Sequence, residues 1–286
     1  MIKITDHIIE QTEPVSSALH MMSKLGKELT LFVVNMQNQL VGTLTDGDIR
    51  RGLLSGLNID SSISNFMQRD FQFLRKCKYN ISDVEKAKLA GVQILPVLDD
   101  NMHIKRLINF SYYKSYLPFS AIIMAGGEGI RLRPLTNDLP KPLLKVGSKP
   151  IIEYGIDWLI QHGVEDIKIS VNYLSDKIMN YFRDGSTKNV SISYIQETSK
   201  LGTIGSVSLI EDLQHEHILI MNSDLLTNID LEEFYKLHES RNAAMSIACV
   251  PYKVTIPYAI LDTDHEQVLG LKEKPTLTYW SNAGIY

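Results

Sequence analysis

The first third of the chain carries one pattern of apolar and polar positions twice. Apolar residues recur at the spacing of a helix, and short β-branched runs separated by polar turns follow. The pattern predicts a helix over 15–25, strands over 30–34 and 40–44 and a helix over 46–54, and then a helix over 83–90 and strands over 92–98 and 103–108. Val33 aligns with Val97, and Leu40 with Ile104, at the same offset of 64.

The repeat predicts two tandem copies of a helix–strand–strand–helix unit. Each copy is too small to bury a good core alone, so we expect the two to pair. Residues 1–117 are therefore predicted to form one domain, and the tyrosine-rich stretch 111–119 connects it to the next.

From residue 118 onward, strands alternate with helices. Strands are predicted over 121–125, 167–172, 190–195, 217–222 and 244–250, and helices over 150–162, 176–183, 203–212 and 231–240. Alternation of this kind predicts an α/β domain with a largely parallel sheet over 118–286. Ligands of such sheets bind at the carboxyl ends of the strands, so candidate loops follow Ala125, Ile195 and Asn222.

Composition narrows the class of protein. At 286 residues, with 44% apolar and 22% charged residues, the chain is large enough for two globular domains. No apolar run approaches the ~18 residues of a membrane span, and the start does not resemble a signal peptide. Cys77 and Cys249 lack metal-ligand spacing, and a net charge of −4 disfavours nucleic acid. We expect a cytoplasmic protein that binds neither membrane nor nucleic acid.

A glycine-rich segment follows the predicted strand 121–125. Gly126, Gly127 and Gly129 let backbone N–H groups approach phosphate oxygens, because no side chain intervenes. Arg131 and Lys141 supply the positive charge that a triphosphate requires. The segment lacks the ending of a Walker A loop and the third glycine of a dinucleotide fingerprint.

The motifs Gly-Gly-x-Gly, Arg-Leu-x-Pro-Leu-Thr and Pro-Lys-Pro-Leu within 126–143 together resemble the sugar-1-phosphate nucleotidyltransferase family. The resemblance implies a Rossmann-like, mostly parallel-sheet domain that uses Mg²⁺ and takes a nucleoside triphosphate and a sugar 1-phosphate. The three glycines would cradle phosphates, which Arg131 and Lys141 would neutralise. Ile130 stands where the family usually has a small hydroxyl residue.

Residues 197–205 resemble the family segment Glu-x-x-x-Leu-Gly-Thr-Ala-Gly, which packs close to the base. The resemblance assigns Glu197, Gly202 and Thr203 to the substrate site, and Thr203 would also suit a helix N-terminus. A carboxylate at Glu197 would accept from N1–H and N2–H₂ of guanine but would face the carbonyls of uracil or thymine. Gln196 could instead recognise a pyrimidine, so guanine is favoured while uridylyl and thymidylyl transfer stay open.

Three further positions match the family. Asp224, just beyond a buried strand, matches its Mg²⁺-binding Asp, although an isolated Asp there is also a common turn residue. Glu273 and Lys274 match its Glu-Lys-Pro, with Glu273 on sugar hydroxyls and Lys274 on phosphates, although they would also suit an exposed ion pair. Asn282 matches the strand that borders the sugar pocket. The family's second metal-binding Asp lies further on, so the chain is either a piece of a longer protein or has an incomplete metal site.

The segment 42–48, Gly-x-x-Thr-x-x-Asp, resembles the ribose-binding signature of CBS domains. Two tandem CBS domains form a module (a Bateman module) with a cleft for an adenine nucleotide. The resemblance implies that Thr45 and Asp48 bind ribose and that Arg50 or Arg51 faces phosphate. Alternatively, Thr45 only caps the following helix.

The second copy has lost this signature, since Arg106, Asn109 and Tyr112 stand where the first copy has Gly42, Thr45 and Asp48. One regulatory site is therefore expected rather than two. A purely structural or dimerising role for the module stays open.

Both resemblances together predict a CBS module over 1–117 followed by a nucleotidyltransferase domain over 118–286. A CBS pair in this position is similar to guanylyltransferases of the glucosamine-1-phosphate/legionaminic acid type. We expect transfer from GTP to a sugar 1-phosphate, with Arg131, Lys141, Asp224 and Lys274 as catalytic residues, in a homo-oligomer. The alternative from another class is a non-catalytic, nucleotide-sensing regulatory subunit.

Overall fold

The structure, a computed structural model, describes residues 3–26, 28–76, 78–197, 204–210, 212–213 and 215–286. The chain packs as two compact units. The first unit is Met1–Ser120, Asp157–Glu165 and Leu213–His217, and the second is Ala121–Ile156, Asp166–Asp212 and Ile218–Tyr286. The domain boundary expected between residues 117 and 118 stays a prediction.

The N-terminal elements form two three-stranded sheets, β1-β2-β3 and β4-β5-β6. In chain order they are β1 (Ile8–Glu10), α1 (Val15–Leu25), β2 (Thr30–Val34), β3 (Leu40–Thr45), α2 (Asp46–Leu54), β4 (Leu74–Arg75), α3 (Ile81–Leu89), β5 (Ile94–Leu98) and β6 (Ile104–Asn109). Strand β2 pairs with β1 in parallel and with β3 antiparallel. Strand β5 likewise pairs with β4 in parallel and with β6 antiparallel.

The repeat is confirmed, and both copies even share an irregularity in strand pairing. The ladder of β2 and β3 shifts register between Val33 and Val34, and that of β5 and β6 shifts between Val97 and Leu98, at the predicted offset of 64. The two copies also share a core, because Phe32 of the first packs in one buried cluster with Ile94, Leu98 and Leu107 of the second. Pairing of the copies is therefore confirmed.

The predicted closing helix is absent from the described part of the second copy, where turns follow β6. In the first copy, Thr45 and Asp48 form a reciprocal capping box that starts α2. In the second copy Asn109 stands at the capping position, but its Oδ1 accepts from the Ser111 N–H at 2.8 Å, two residues on, and its Nδ2 donates to Glu28 at 2.6 Å. Without a capping box, the chain makes a turn instead of a helix.

The later elements centre on a four-stranded sheet of order β11-β10-β7-β12. They are β7 (Phe119–Met124), β8 (Lys145–Val146), β9 (Lys149–Pro150), α4 (Ile151–Gln161), β10 (Asp166–Val171), α5 (Ser175–Phe182), β11 (Ser191–Gln196), β12 (His217–Asn222), α6 (Leu231–Ser240), β13 (Cys249–Thr255), β14 (Ile260–Asp264), β15 (Gln267–Lys272) and β16 (Thr276–Asn282). Strand β10 runs parallel to both β7 and β11, as the α/β alternation predicts.

Two predicted elements are wrong in kind or extent. The helix predicted over 203–212 is a short 3₁₀ helix at Gly205–Leu209 in the residues described there, since glycine, serine and a β-branched valine favour an α-helix only weakly. The strand predicted over 244–250 begins only at Cys249, where pairing with β16 starts at Cys249↔Asn282. Among the described helices, none combines the length and apolar character needed to cross a membrane.

Candidate active site

A cavity of about 570 Å³ opens where β7 gives way to the glycine loop. Its described lining consists of the end of β7, the loop with the short helix that follows, and side chains at the ends of neighbouring strands: Met124, Gly126, Gly127, Glu128, Gly129, Ile130, Arg131, Leu132, Lys141, Asn172, Glu197 and Asn222. The predicted phosphate-binding glycines, both predicted cations and Glu197 therefore line one space. This is the carboxyl end of the strands, where α/β sheets bind ligands.

The glycine loop is held in shape by a left-handed glycine and by side chains that donate to backbone carbonyls. Gly129 has a left-handed φ of 64°, and a Cβ there would lie 3.0 Å from Thr136 Cγ2 and 3.1 Å from Lys141 Cβ. The buried Thr136 hydroxyl donates to the Gly129 carbonyl at 2.9 Å. Tyr173 in turn donates to the Thr136 carbonyl at 3.1 Å. These contacts fix the path that leads into the 3₁₀ helix carrying Arg131 to the cavity wall.

Lys141 lines the cavity and pairs with Asp224, which the described lining does not include. Lys141 begins a 3₁₀ helix, and Asp224 follows the end of β12. The backbone N–H of Ser223 donates to the Met124 carbonyl at 3.2 Å, which brings the end of β12 beside the end of β7. There the Lys141 ammonium donates a hydrogen bond to Asp224 Oδ2. The predicted phosphate-neutralising cation and the predicted Mg²⁺ ligand are thus partners.

Asp224 offers the oxygen chemistry that Mg²⁺ prefers. In nucleotide enzymes this ion is commonly held by one or two carboxylates together with substrate phosphates and water. Within the described ranges, no three His, Cys, Asp or Glu side chains gather as a cluster able to hold a metal. Asp224 therefore fits the role of a single carboxylate anchor that shares the ion with a triphosphate, and Lys141 occupies one of its oxygens.

Glu197 is held at the cavity by the neighbouring strand. Its Oε1 accepts a hydrogen bond from the buried Ser170 hydroxyl, and its carbonyl accepts from Asn172 Nδ2 at 2.9 Å. A Cβ placed on Gly126 would lie 3.4 Å from Oε1, so the carboxylate lies against the first loop glycine. The predicted substrate residues Gly202 and Thr203 lie outside the described residues.

The predicted sugar-site residues are placed differently. Glu273 and Lys274 lie exposed between β15 and β16, and the described lining of the cavity includes neither of them nor Asn282. Asn282 acts locally, because its Oδ1 accepts from the Gly284 N–H at 2.8 Å. Gly284 packs so closely on Asn222 that a Cβ there would lie 2.5 Å from Asn222 Nδ2. The assignment of Glu273, Lys274 and Asn282 to the sugar site stays a prediction.

Two residues that line the cavity, Asn172 and Asn222, were not predicted from the sequence as site residues. Asn172 is the first residue after β10, and Asn222 is the last residue of β12. An asparagine at a strand end usually indicates a turn. The available signal was their position at the sheet edge that the glycine loop also occupies.

A second cavity, of about 610 Å³, lies within the first unit between the two copies. Thr45 and Asp48 line it, as does Gln68. Asp48, only 4% exposed, accepts from Thr45 Oγ1 at 2.6 Å, Gln68 Nε2 at 2.9 Å and Arg51 Nη2. Burial alone would raise the pKa of Asp48, but these hydrogen bonds outweigh burial and hold the pKa below its ordinary value.

Arg50 is placed away from that cavity's described lining. Its guanidinium pairs with Asp46 one helical turn earlier and is largely exposed. Thr45 caps α2, so the capping role considered for it is confirmed. The predicted ribose and phosphate contacts of these residues stay predictions.

Comparison with known proteins assigns the C-terminal part of the chain to a protein family. The family model described as "Nucleotidyl transferase" matches residues 120–286. Mannose-1-phosphate guanylyltransferase 1 of Arabidopsis thaliana is 34% identical over 175 residues, and a UTP–glucose-1-phosphate uridylyltransferase of Synechocystis is 32% identical over 185 residues. Each match covers 58% of this chain, and the chain spans about half (48%) of either relative.

A shorter relative is covered more fully. The D-glycero-α-D-manno-heptose 1-phosphate guanylyltransferase of Aneurinibacillus thermoaerophilus is 32% identical over 168 residues. That match takes in 58% of this chain and 73% of the relative. Guanylyl and uridylyl transferases of sugar 1-phosphates are thus both among the proteins this chain is similar to.

Proposed function

The chain belongs to the nucleotidyl transferase family, and on this premise we propose that it joins a nucleoside monophosphate, from GTP by preference, to a sugar 1-phosphate. An oxygen of the sugar phosphate attacks the α-phosphorus of the triphosphate. The bond from that phosphorus to the oxygen bridging to the β-phosphate breaks, and pyrophosphate leaves with the electron pair. The products are a nucleoside diphosphate sugar and pyrophosphate.

One observation carries the proposal: Lys141 and Asp224 pair at the edge of a cavity walled by Gly126, Gly127 and Gly129. Backbone N–H groups of a glycine loop suit phosphate oxygens, and a lysine beside them offsets phosphate charge. A carboxylate in the same place suits the cation that accompanies a triphosphate. The three features together match phosphoryl chemistry better than any one does alone.

The chain's own residues bind and orient rather than exchange protons. The loop glycines hold the phosphates, and Arg131 and Lys141 offset the negative charge that builds on the α-phosphate and on the leaving pyrophosphate. Mg²⁺, when bound through Asp224, would supply further charge neutralisation at the phosphates. Lys274 and Glu273 would orient the sugar phosphate and hydroxyls, and Asn282 would border the sugar.

Glu197 supports GTP as the donor. Its carboxylate lies in the cavity wall beside Gly126, and a carboxylate can accept both N1–H and N2–H₂ of guanine. UTP is the alternative, recognised through Gln196 at the end of β11. The names of the relatives fit either base, and they name mannose, heptose and glucose 1-phosphates as acceptors.

Pyrophosphate release tests the proposal. The chain is incubated with Mg²⁺, each of GTP, UTP, dTTP, CTP and ATP, and a panel of hexose, hexosamine and heptose 1-phosphates. Release confined to one nucleotide and one sugar phosphate supports the transferase and names its substrates. Nucleotide binding without release across the panel would favour the non-catalytic sensor.

A second function, sensing of an adenine nucleoside or nucleotide by the N-terminal repeat, is favoured by the cavity between the two copies. Thr45, Asp48 and Gln68 there offer polar groups to ribose hydroxyls. Among the described lining residues none is Lys or Arg, while Asp46 and Asp70 add negative charge. Calorimetric titration with adenosine, AMP and ATP tests this function, and adenosine is expected to bind at least as tightly as ATP. No binding by any of the three would leave the repeat a structural or dimerising module.

A further inference from the structure

Ser170 is a polar residue in an otherwise apolar part of β10. It is fully buried between Ile169 and Val171. It sits in the middle of the sheet, paired in register with Met124 of β7 on one side and Ile195 of β11 on the other. Burying a hydroxyl costs free energy unless the hydroxyl finds a hydrogen-bond partner. Its partner here is Glu197 Oε1.

Asn172 continues the same face of the strand two residues later. Its Nδ2 donates to the Glu197 carbonyl at 2.9 Å, while the Glu197 N–H donates to the Val171 carbonyl at 3.0 Å. The end of β10 therefore holds Glu197 at three points: its amide, its carbonyl and one carboxylate oxygen. Among the residues that the structure describes, Ser170 alone donates to the carboxylate.

This bond leaves the rest of the carboxylate for a ligand. A carboxylate has two oxygens with about four lone-pair sites, and Ser170 takes one of them. A donor held against one carboxylate oxygen fixes the orientation of the group. A base with two adjacent N–H donors needs an ionised carboxylate in a fixed plane, whereas uracil presents one N–H between two carbonyls.

From this geometry we infer that Ser170 is a positioning residue for base discrimination, acting through Glu197 to favour guanine over uracil. The inference rests on the proposed preference for GTP. It assigns to β10 a part in specificity that the cavity lining does not reveal, because Ser170 itself lies beneath the wall.

The test measures the dissociation constants of GTP and UTP by calorimetry on the whole chain with Mg²⁺. The variants are Ser170→Ala, the matched control Ser193→Ala on the exposed face of neighbouring β11, Glu197→Gln, and the double variant. A ratio of two dissociation constants from one preparation does not depend on the fraction of active protein. Ser170→Cys, which places a weaker donor at the same position, provides a second variant if the alanine unfolds.

We expect Ser170→Ala to lower the preference for GTP over UTP about tenfold, as for a hydrogen bond to a charged group. The loss should fall on GTP, with Ser193→Ala unchanged. In the Glu197→Gln background, Ser170→Ala should have no further effect on the ratio, because its action passes through the carboxylate.

Three results would overturn the inference while leaving the proposed GTP preference intact. They are a ratio within twofold of wild type in Ser170→Ala, equal weakening of both nucleotides, and additive effects in the double variant. A wild-type chain that binds UTP as well as GTP would remove both the inference and the base assignment. Pyrophosphate release would still decide the transferase chemistry separately.

Discussion

Lys141 and Asp224 are 83 residues apart in the chain, yet the ammonium of one donates a hydrogen bond to the carboxylate of the other. Both side chains are partly exposed, so either can turn to a ligand without leaving a buried charge unpaired. A triphosphate offers Lys141 a more highly charged partner, and the accompanying cation offers one to Asp224. We therefore expect this ion pair to exchange for two ligand contacts when substrate binds.

Asp224→Asn tests the cation side of that exchange. The amide keeps the shape but carries no charge, so turnover should fall about 10²–10³-fold and half-maximal rate should require more Mg²⁺. The control is Asp230→Asn at the N-cap of α6, where asparagine caps as well as aspartate. Pyrophosphate release against Mg²⁺ concentration measures both quantities. An unchanged Mg²⁺ requirement in Asp224→Asn would argue against the metal role.

Arg131→Ala tests the charge carried by the loop. Because Arg131 lies on the cavity wall beside the glycines, its loss should reduce turnover about 10²–10³-fold if it stabilises charge in the transition state. Arg241→Ala, at an exposed position after α6, should leave turnover unchanged. A reduction below threefold in folded Arg131→Ala protein would exclude this role.

Alanine at two loop glycines separates loop shape from ligand contact. Gly129→Ala forces a left-handed residue and a crowded Cβ, so it should lower the free energy of unfolding by about 1–2 kcal/mol and weaken GTP binding. Gly127→Ala meets nothing within 4 Å, so stability should hold while a methyl group blocks phosphate from the backbone. Thermal unfolding and GTP titration measure the two effects. Normal GTP affinity in Gly127→Ala would contradict phosphate binding there.

Asp48 makes the stability of the first unit depend on pH. Because hydrogen bonds hold its folded-state pKa below the ordinary value, its contribution to stability is present above about pH 4 and is lost as the pH falls towards the lowered pKa. Asp48→Asn should lower the unfolding free energy by about 1–2 kcal/mol near pH 7. The difference from wild type should shrink below pH 4.

Denaturant unfolding at several pH values measures this difference. Asp46→Asn is the matched control, because the Asp46 side chain is partly exposed and pairs with Arg50 at the surface. A difference between Asp48→Asn and wild type that stays constant from pH 6 to pH 3 would show that the carboxylate does not carry the effect.

The local parts of the fold could be predicted from the sequence. Helices α2 and α6 and strands β2 and β12 have the predicted bounds, because each combines a clear apolar period with a cap or turn at its end. The offset between Val33 and Val97 predicted the repeat correctly, and in the structure each of these valines lies at a register shift in its strand pair. Short-range patterning was enough for these elements.

Pairing between distant segments could not be predicted in the same way. Strand β13 starts at Cys249 because its partner β16 reaches it there, 33 residues later in the chain. The contact of Ser170 with Glu197 likewise depends on β10 and β11 lying side by side. The glycine loop and its cations were found because a long motif carries them, whereas Asn172 and Asn222 contribute single residues at strand ends.

The strand order β11-β10-β7-β12 separates two tasks across the width of the sheet. Glu197 follows β11 at one edge, while Gly126 and Asp224 follow β7 and β12. Under the proposed function, substitutions at the β11 edge would exchange one base for another while Asp224, which follows β12, keeps its geometry with β10 and β7 lying between. Under this division, the base of the nucleotide donor could change during evolution while the residues around the phosphates stay the same. The similar identity of this chain to a guanylyl and a uridylyl transferase is in keeping with this view.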